Sequence, residues 1–90
     1  MYTHVIMALI DIRTFKKKEP QRVKVHDYAT TDYVVFSNTG DSDPNKRTIL
    51  QINMYGSEER QCQGVASQTI QIDKAVARQL MKIFVENDMF

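Results

Sequence analysis

Only one stretch of this chain spaces its apolar side chains as a helix does. Val76, Ala77, Leu80, Met81, Ile83 and Phe84 recur at i, i+4, i+7 and i+8, while Arg78, Lys82 and Glu86 fall on the opposite side. Lys82 and Glu86 also stand at i,i+4, where opposite charges support a helix. Asp73 comes directly before, and its carboxylate can accept the unpaired amide hydrogens of a first turn. The spacing predicts a helix over Lys74–Glu86, closed by Asn87 and Asp88. Since 90 residues make one domain, a single helix leaves the rest of the core to strands.

Strand patterns are abundant upstream. Residues 3–15 are rich in β-branched and apolar side chains, with the continuous run 5–10 suited to a strand buried on both faces. Residues 16–21, KKKEPQ, read as a turn, because like charges repel and Pro20 cannot continue a ladder. Residues 22–28 alternate, with Val23 and Val25 on one side and Arg22, Lys24 and His26 on the other. Residues 32–38 have high strand propensity, and residues 38–46, NTGDSDPNK, are nearly all turn formers. Residues 48–55 alternate most cleanly: Leu50, Ile52 and Met54 share one face, Gln51, Asn53 and Tyr55 the other. A turn over 56–59 and a last strand over 62–72 complete the series.

The expected fold is therefore α+β: a mostly antiparallel sheet of four to five strands, with one C-terminal amphipathic helix packed on one face. A helix about 10 Å wide covers three or four strands at most, because strands lie about 4.8 Å apart. Part of the sheet or one edge then needs another cover. A second copy of the chain is the simplest one, so a homodimer is expected.

Charge and cysteine content remove several function classes. Twelve Lys and Arg against eleven Asp and Glu leave a net charge of +1, which excludes a histone-like protein and an acidic mimic of DNA. A single cysteine makes no internal disulfide, which suits a reducing cytosol. The apolar run 5–10 is too short for a secretory or spanning segment, and its cations follow it rather than precede it. The chain is expected to be cytoplasmic, untargeted, full-length and without a membrane partner.

No pattern supplies a catalytic, cofactor or metal site. Asp41, Asp43 and Asn45 match the start of a calcium loop, but Lys46 stands where the sharp turn wants Gly and Ile52 where a bidentate Glu belongs. A solvated turn held by Asx hydrogen bonds explains them better. Cys62, His4 and His26 are three scattered soft ligands where a structural zinc site wants four. Gly40, Gly56 and Gly64 are isolated and build no phosphate loop. The chain is accordingly expected not to be an enzyme.

Two features point to binding. Residues 1–30 carry six cations and three anions, with Phe15 and Tyr28 flanking a basic hairpin over 13–26. Cations with interleaved aromatics suit single-stranded nucleic acid, so Arg13, Phe15, Lys16, Lys17, Lys18, Arg22, Lys24 and Tyr28 form a candidate nucleic-acid site. The alternative is a solvated hairpin whose lysines discourage edge pairing. At the other end, Met89 and Phe90 follow the helix as large apolar groups on a terminus that ordinarily frays. With Phe84 they form the candidate partner-binding residues. In its length and lack of motifs the chain resembles the small accessory proteins of phages and mobile elements. The leading expectation is a non-enzymatic protein-binding module that regulates or inhibits a larger complex, with nucleic-acid binding as the alternative.

Overall fold

The clean alternation over 48–54 becomes a central strand of the sheet. In the computed structural model, which describes residues 6–56 and 68–90, four strands are followed by one helix. The strands are β1 (Ile6–Leu9), β2 (Thr31–Ser37), β3 (Thr48–Met54) and β4 (Gln68–Ile72), and the helix is α1 (Lys74–Glu86). A short 3-10 turn, Pro44–Lys46, precedes β3. The spatial order is β1-β4-β3-β2, which makes β1 and β2 the edges. The fold is α+β as expected, with a mixed sheet: β2 with β3 and β3 with β4 pair antiparallel, whereas β1 pairs parallel with β4. Parallel neighbours need a long connection, and here β2 and β3 both lie between β1 and β4 in the chain.

The loop between β2 and β3 owes its form to its acidic residues. Asp41 Oδ1 accepts the amide of Asp43 at 2.8 Å, and Asp43 Oδ1 accepts that of Asn45 at 2.9 Å, with Pro44 opening the turn. These are Asx turns. The helix has the bounds that its capping residue and spacing predict. Asp73 Oδ1 accepts the Val76 amide at 3.0 Å. At the far end Asp88 takes a left-handed φ of 54°, and Met89 N–H donates to the Phe84 carbonyl at 2.9 Å. Asp88 N–H reaches the Val85 carbonyl at 3.5 Å. That pair of bonds is a Schellman ending, with Asp at the place usually held by glycine.

Three elements depart from the sequence expectation. The first strand is an exposed edge strand rather than one buried on both faces, and it stops at Leu9 rather than running on to residue 15, because Asp11 folds the chain into a turn. Its side chain accepts the Arg13 amide at 2.9 Å, and its carbonyl accepts the Thr14 amide at 3.0 Å. Residues 3–5 lie outside the described residues, as do 57–59 of the expected turn and 62–67 of the expected last strand. The hairpin over 13–26 does not form, and residues 22–28 are not a strand. Arg22 sits at a φ of 52°, and among the described residues no strand lies alongside this stretch to supply a ladder. Thirdly, Met81 is exposed rather than part of the buried stripe. Val76 is fully buried, and Leu80, Ile83 and Phe84 are half-buried.

The described hydrophobic core is small, consisting of Ile49, Ile72 and Val76. The radius of gyration is 15.2 Å, whereas about 12 Å is usual for a chain of this length. Much apolar surface therefore stays in contact with water.

Candidate functional site

Besides Ile6, Met7, Leu9 and Ile12 on and after the edge strand β1, the exposed apolar residues gather in three places, each set by local structure. The first is the outer edge of β2. The Tyr55 amide donates to the Thr30 carbonyl at 2.9 Å, and the Asn38 amide donates to the Arg47 carbonyl at 2.7 Å. Residues 30 and 38 thus turn their backbone groups toward β3, and the antiparallel alternation gives Asp32, Val34 and Phe36 the same direction. Thr31, Tyr33, Val35 and Ser37 consequently point their N–H and C=O groups away from β3, along an open edge. All seven residues of the strand are exposed, Tyr33 at 73%. Beside it opens a shallow groove of about 380 Å³ lined by Thr31, Asp32, Tyr33, Leu50 and Ile52.

The second place is the segment that leads into β2. Val25 is 97% exposed and Tyr28 100%. The cations Lys16, Lys17, Lys18, Arg22 and Lys24 are all solvent-exposed and have no ion-pair partner among the described residues. Arg13 is different, since it grips Asp11 at 2.9 Å through two parallel hydrogen bonds. Those bonds lower the Asp11 pKa below the ordinary 3.8 and raise that of Arg13. Phe15 is half-buried, lining a cavity with Lys16, Lys17, Gln79 and Ile83. The nucleic-acid candidates are thereby divided. Arg13 is engaged and Phe15 is tucked against the helix, whereas the lysines, Arg22, Lys24 and Tyr28 remain outward.

The third place is the end of α1. Met81, Val85 and Met89 follow one another at i,i+4 and are all exposed, and Phe90 beyond them is 92% exposed. Of the three residues expected at a partner site, Met89 and Phe90 lie open while Phe84 is half-buried. Met81 and Val85 join the exposed patch, although the helical spacing alone offers no reason to separate Met81 from the inward stripe.

One constellation becomes visible only in the pairing register. Gln71 Nε2 donates to Gln51 Oε1 at 2.9 Å, Gln51 Nε2 to Asn53 Oδ1 at 3.0 Å, and Asn53 Nδ2 to Asp32 Oδ1 at 2.8 Å. The Tyr55 hydroxyl donates to the other Asp32 oxygen at 2.9 Å, and Thr69 Oγ1 to Asn53 Oδ1 at 3.2 Å. The hydrogen bond to Asp32 raises the Tyr55 pKa above its usual 10.0, with desolvation and the Asp32 charge adding to the effect. The alternation of Gln51, Asn53 and Tyr55 marks their shared face in the sequence, but not their partners across strands.

This ladder binds side chains to each other, and its amides and carboxylate are engaged in structural bonds. Among the described residues no group of three His, Cys, Asp or Glu is placed to hold a metal, and no helix is long and apolar enough to cross a membrane. Comparison with known proteins finds no matching family model, curated protein or solved structure.

Proposed function

We propose that this chain is a non-enzymatic protein-binding module that acts as a homodimer and regulates or inhibits a larger complex in the cytoplasm. The observation that carries this reading is the apolar run Met81, Val85, Met89 and Phe90 on the outward side and end of α1. Helix-borne apolar residues at i and i+4 are what a hydrophobic groove on a partner accepts. In this reading the helix is amphipathic and packs Val76, Leu80 and Ile83 across one face of the sheet. Its other side then carries a second, outward apolar stripe. The Schellman ending supports the role, because it fixes where the chain leaves the helix and so where Met89 and Phe90 are presented. Phe84 anchors that ending through its carbonyl.

Affinity capture from the native host tests this, using the intact chain beside a variant with Met81, Val85, Met89 and Phe90 changed to Gln. The reading expects a partner that binds the first and not the second, with both chains equally folded. A partner held equally by both, or product turnover without any partner, contradicts it.

A second reading rests on the exposed cations Lys16, Lys17, Lys18, Arg22 and Lys24, without an ion-pair partner among the described residues, and on the exposed Tyr28 in the same segment. These could hold single-stranded nucleic acid, with phosphates on the lysines and a base stacked on Tyr28. Changing Lys16, Lys17 and Lys18 to Gln should then lower the salt slope of oligonucleotide binding by about 0.7 for each phosphate no longer neutralised.

A further inference from the structure

We infer that two copies of this chain join through β2, pairing antiparallel across a twofold axis at Val34 to form one continuous sheet. The inference deepens the dimer element of the proposed function and rests on a different surface from the helix end. Its first ground is parity. The backbone groups that face outward belong to Thr31, Tyr33, Val35 and Ser37, so a partner strand must offer outward groups at matching positions. An axis at Val34 sets Tyr33 opposite Val35 of the second copy and Thr31 opposite Ser37. Each pair then joins two odd-numbered, outward-facing residues. This register overlaps the whole strand and closes about eight backbone hydrogen bonds that the single chain leaves to water.

The side chains agree with the same register. Tyr33 meets Val35 on one face, an aromatic–β-branched pair of the kind that stabilises antiparallel strands. Val34 meets its own copy on the other face. The one charge in β2, Asp32, lies opposite Phe36 rather than its own copy, and its oxygens already accept from Asn53 and Tyr55. Nothing in the strand repels a second copy of itself. Native edges are normally blunted by lysine, proline or a bulge, and Thr31–Ser37 carries none of these.

Charge points to the same occupant, and the exposed parts of Tyr33, Val34, Val35 and Phe36 add on the order of 400 Å² per copy. Antiparallel pairing also carries the residues that lead into β2 of each copy, 22–30, toward the 38–46 loop of the other. That stretch has two cations, Arg22 and Lys24, and one anion, whereas the loop has two anions, Asp41 and Asp43, and one cation.

Light scattering on the whole chain should give twice the 10.5 kDa chain mass. Val35→Pro removes only an outward amide and blocks pairing, so it should give the single-chain mass with circular dichroism unchanged. Should that variant fail to fold, Val34→Cys with Cys62→Ser replaces it. At the axis the two Val34 Cα atoms would lie about 4.5 Å apart, a spacing that a disulfide spans. Mild oxidation should link those chains covalently. Phe36→Cys in the same background should not link, because its two copies lie about 14 Å apart. A single-chain mass for the natural sequence, a dimer that survives a folded Val35→Pro variant, or no Val34→Cys crosslink would each overturn the inference. None of these results depends on whether the helix end binds a partner.

Discussion

Replacing Asp73 by Ala should destabilise the protein by about 2 kcal/mol. Asp73 is only 7% exposed, and its carboxylate accepts the Val76 amide at 3.0 Å, at a residue that is itself fully buried. Loss of a capping side chain costs about 0.5–2 kcal/mol. Here the amide left behind is shielded from water, so the upper part of that range applies, since a buried unsatisfied donor costs about 1–3 kcal/mol. For a domain of this size, 2 kcal/mol corresponds to about 8–16 °C in melting temperature. Thermal unfolding followed by circular dichroism reads this, with all variants at one protein concentration because assembly also shifts the midpoint. Asp73→Asn keeps an acceptor in the same place and should recover most of the loss. It forgoes only the attraction between the charge and the helix N-terminus, worth about 0.3–1 kcal/mol. An Asp73→Ala variant that melts within 2 °C of the natural chain would refute the argument, because the cap would then contribute nothing.

Other perturbations have equally definite outcomes. Ile72→Ala removes one of the few buried side chains and should cost about 2–5 kcal/mol, enough to leave a measurable unfolded fraction by denaturant titration. Asp88→Gly should raise stability by about 1 kcal/mol, since glycine adopts the left-handed backbone without the Cβ penalty. The Tyr55–Asp32 bond holds while the phenol is protonated and is lost as pH rises through a value above 10.0, so Asp32→Asn should bring the Tyr55 phenolate transition down when followed by NMR. Asp11 behaves in the opposite sense: its bond to Arg13 is intact above the ordinary carboxylate value of 3.8 and is lost as pH falls through a lower one. Arg13→Gln should move the Asp11 titration up toward 3.8.

What was legible in the sequence was local. The helix follows from Asp73 and the spacing of Val76, Leu80 and Ile83, and all of that information lies within fourteen consecutive residues. The strand β3 follows from alternation in the same way, and the 38–46 loop from side chains that bond to their own backbone. Pairing is not local. Residues 22–26 alternate as a strand does, yet a strand needs a neighbour and none lies beside them among the described residues. The parallel pairing of β1 with β4 joins segments some sixty residues apart, which no short pattern records. The same holds at the candidate sites. Met89 and Phe90 could be recognised as apolar groups after a helix stop, but the outward turn of Met81 depends on where α1 sits. The Gln71–Gln51–Asn53–Asp32 chain depends on the register of three strands.

The apolar surface left open by this fold is the ground for reading the protein as one that works against another molecule. Residue-resolved hydrogen exchange at the outward amides of β2 examines that surface in the natural chain without any substitution. With β2 paired across a twofold axis, the Tyr33 and Val35 amides exchange as slowly as those of the central strand β3, and their protection fades as the protein is diluted. Exchange at Tyr33 and Val35 as fast as in an unstructured chain, at concentrations where β3 is protected, would contradict it.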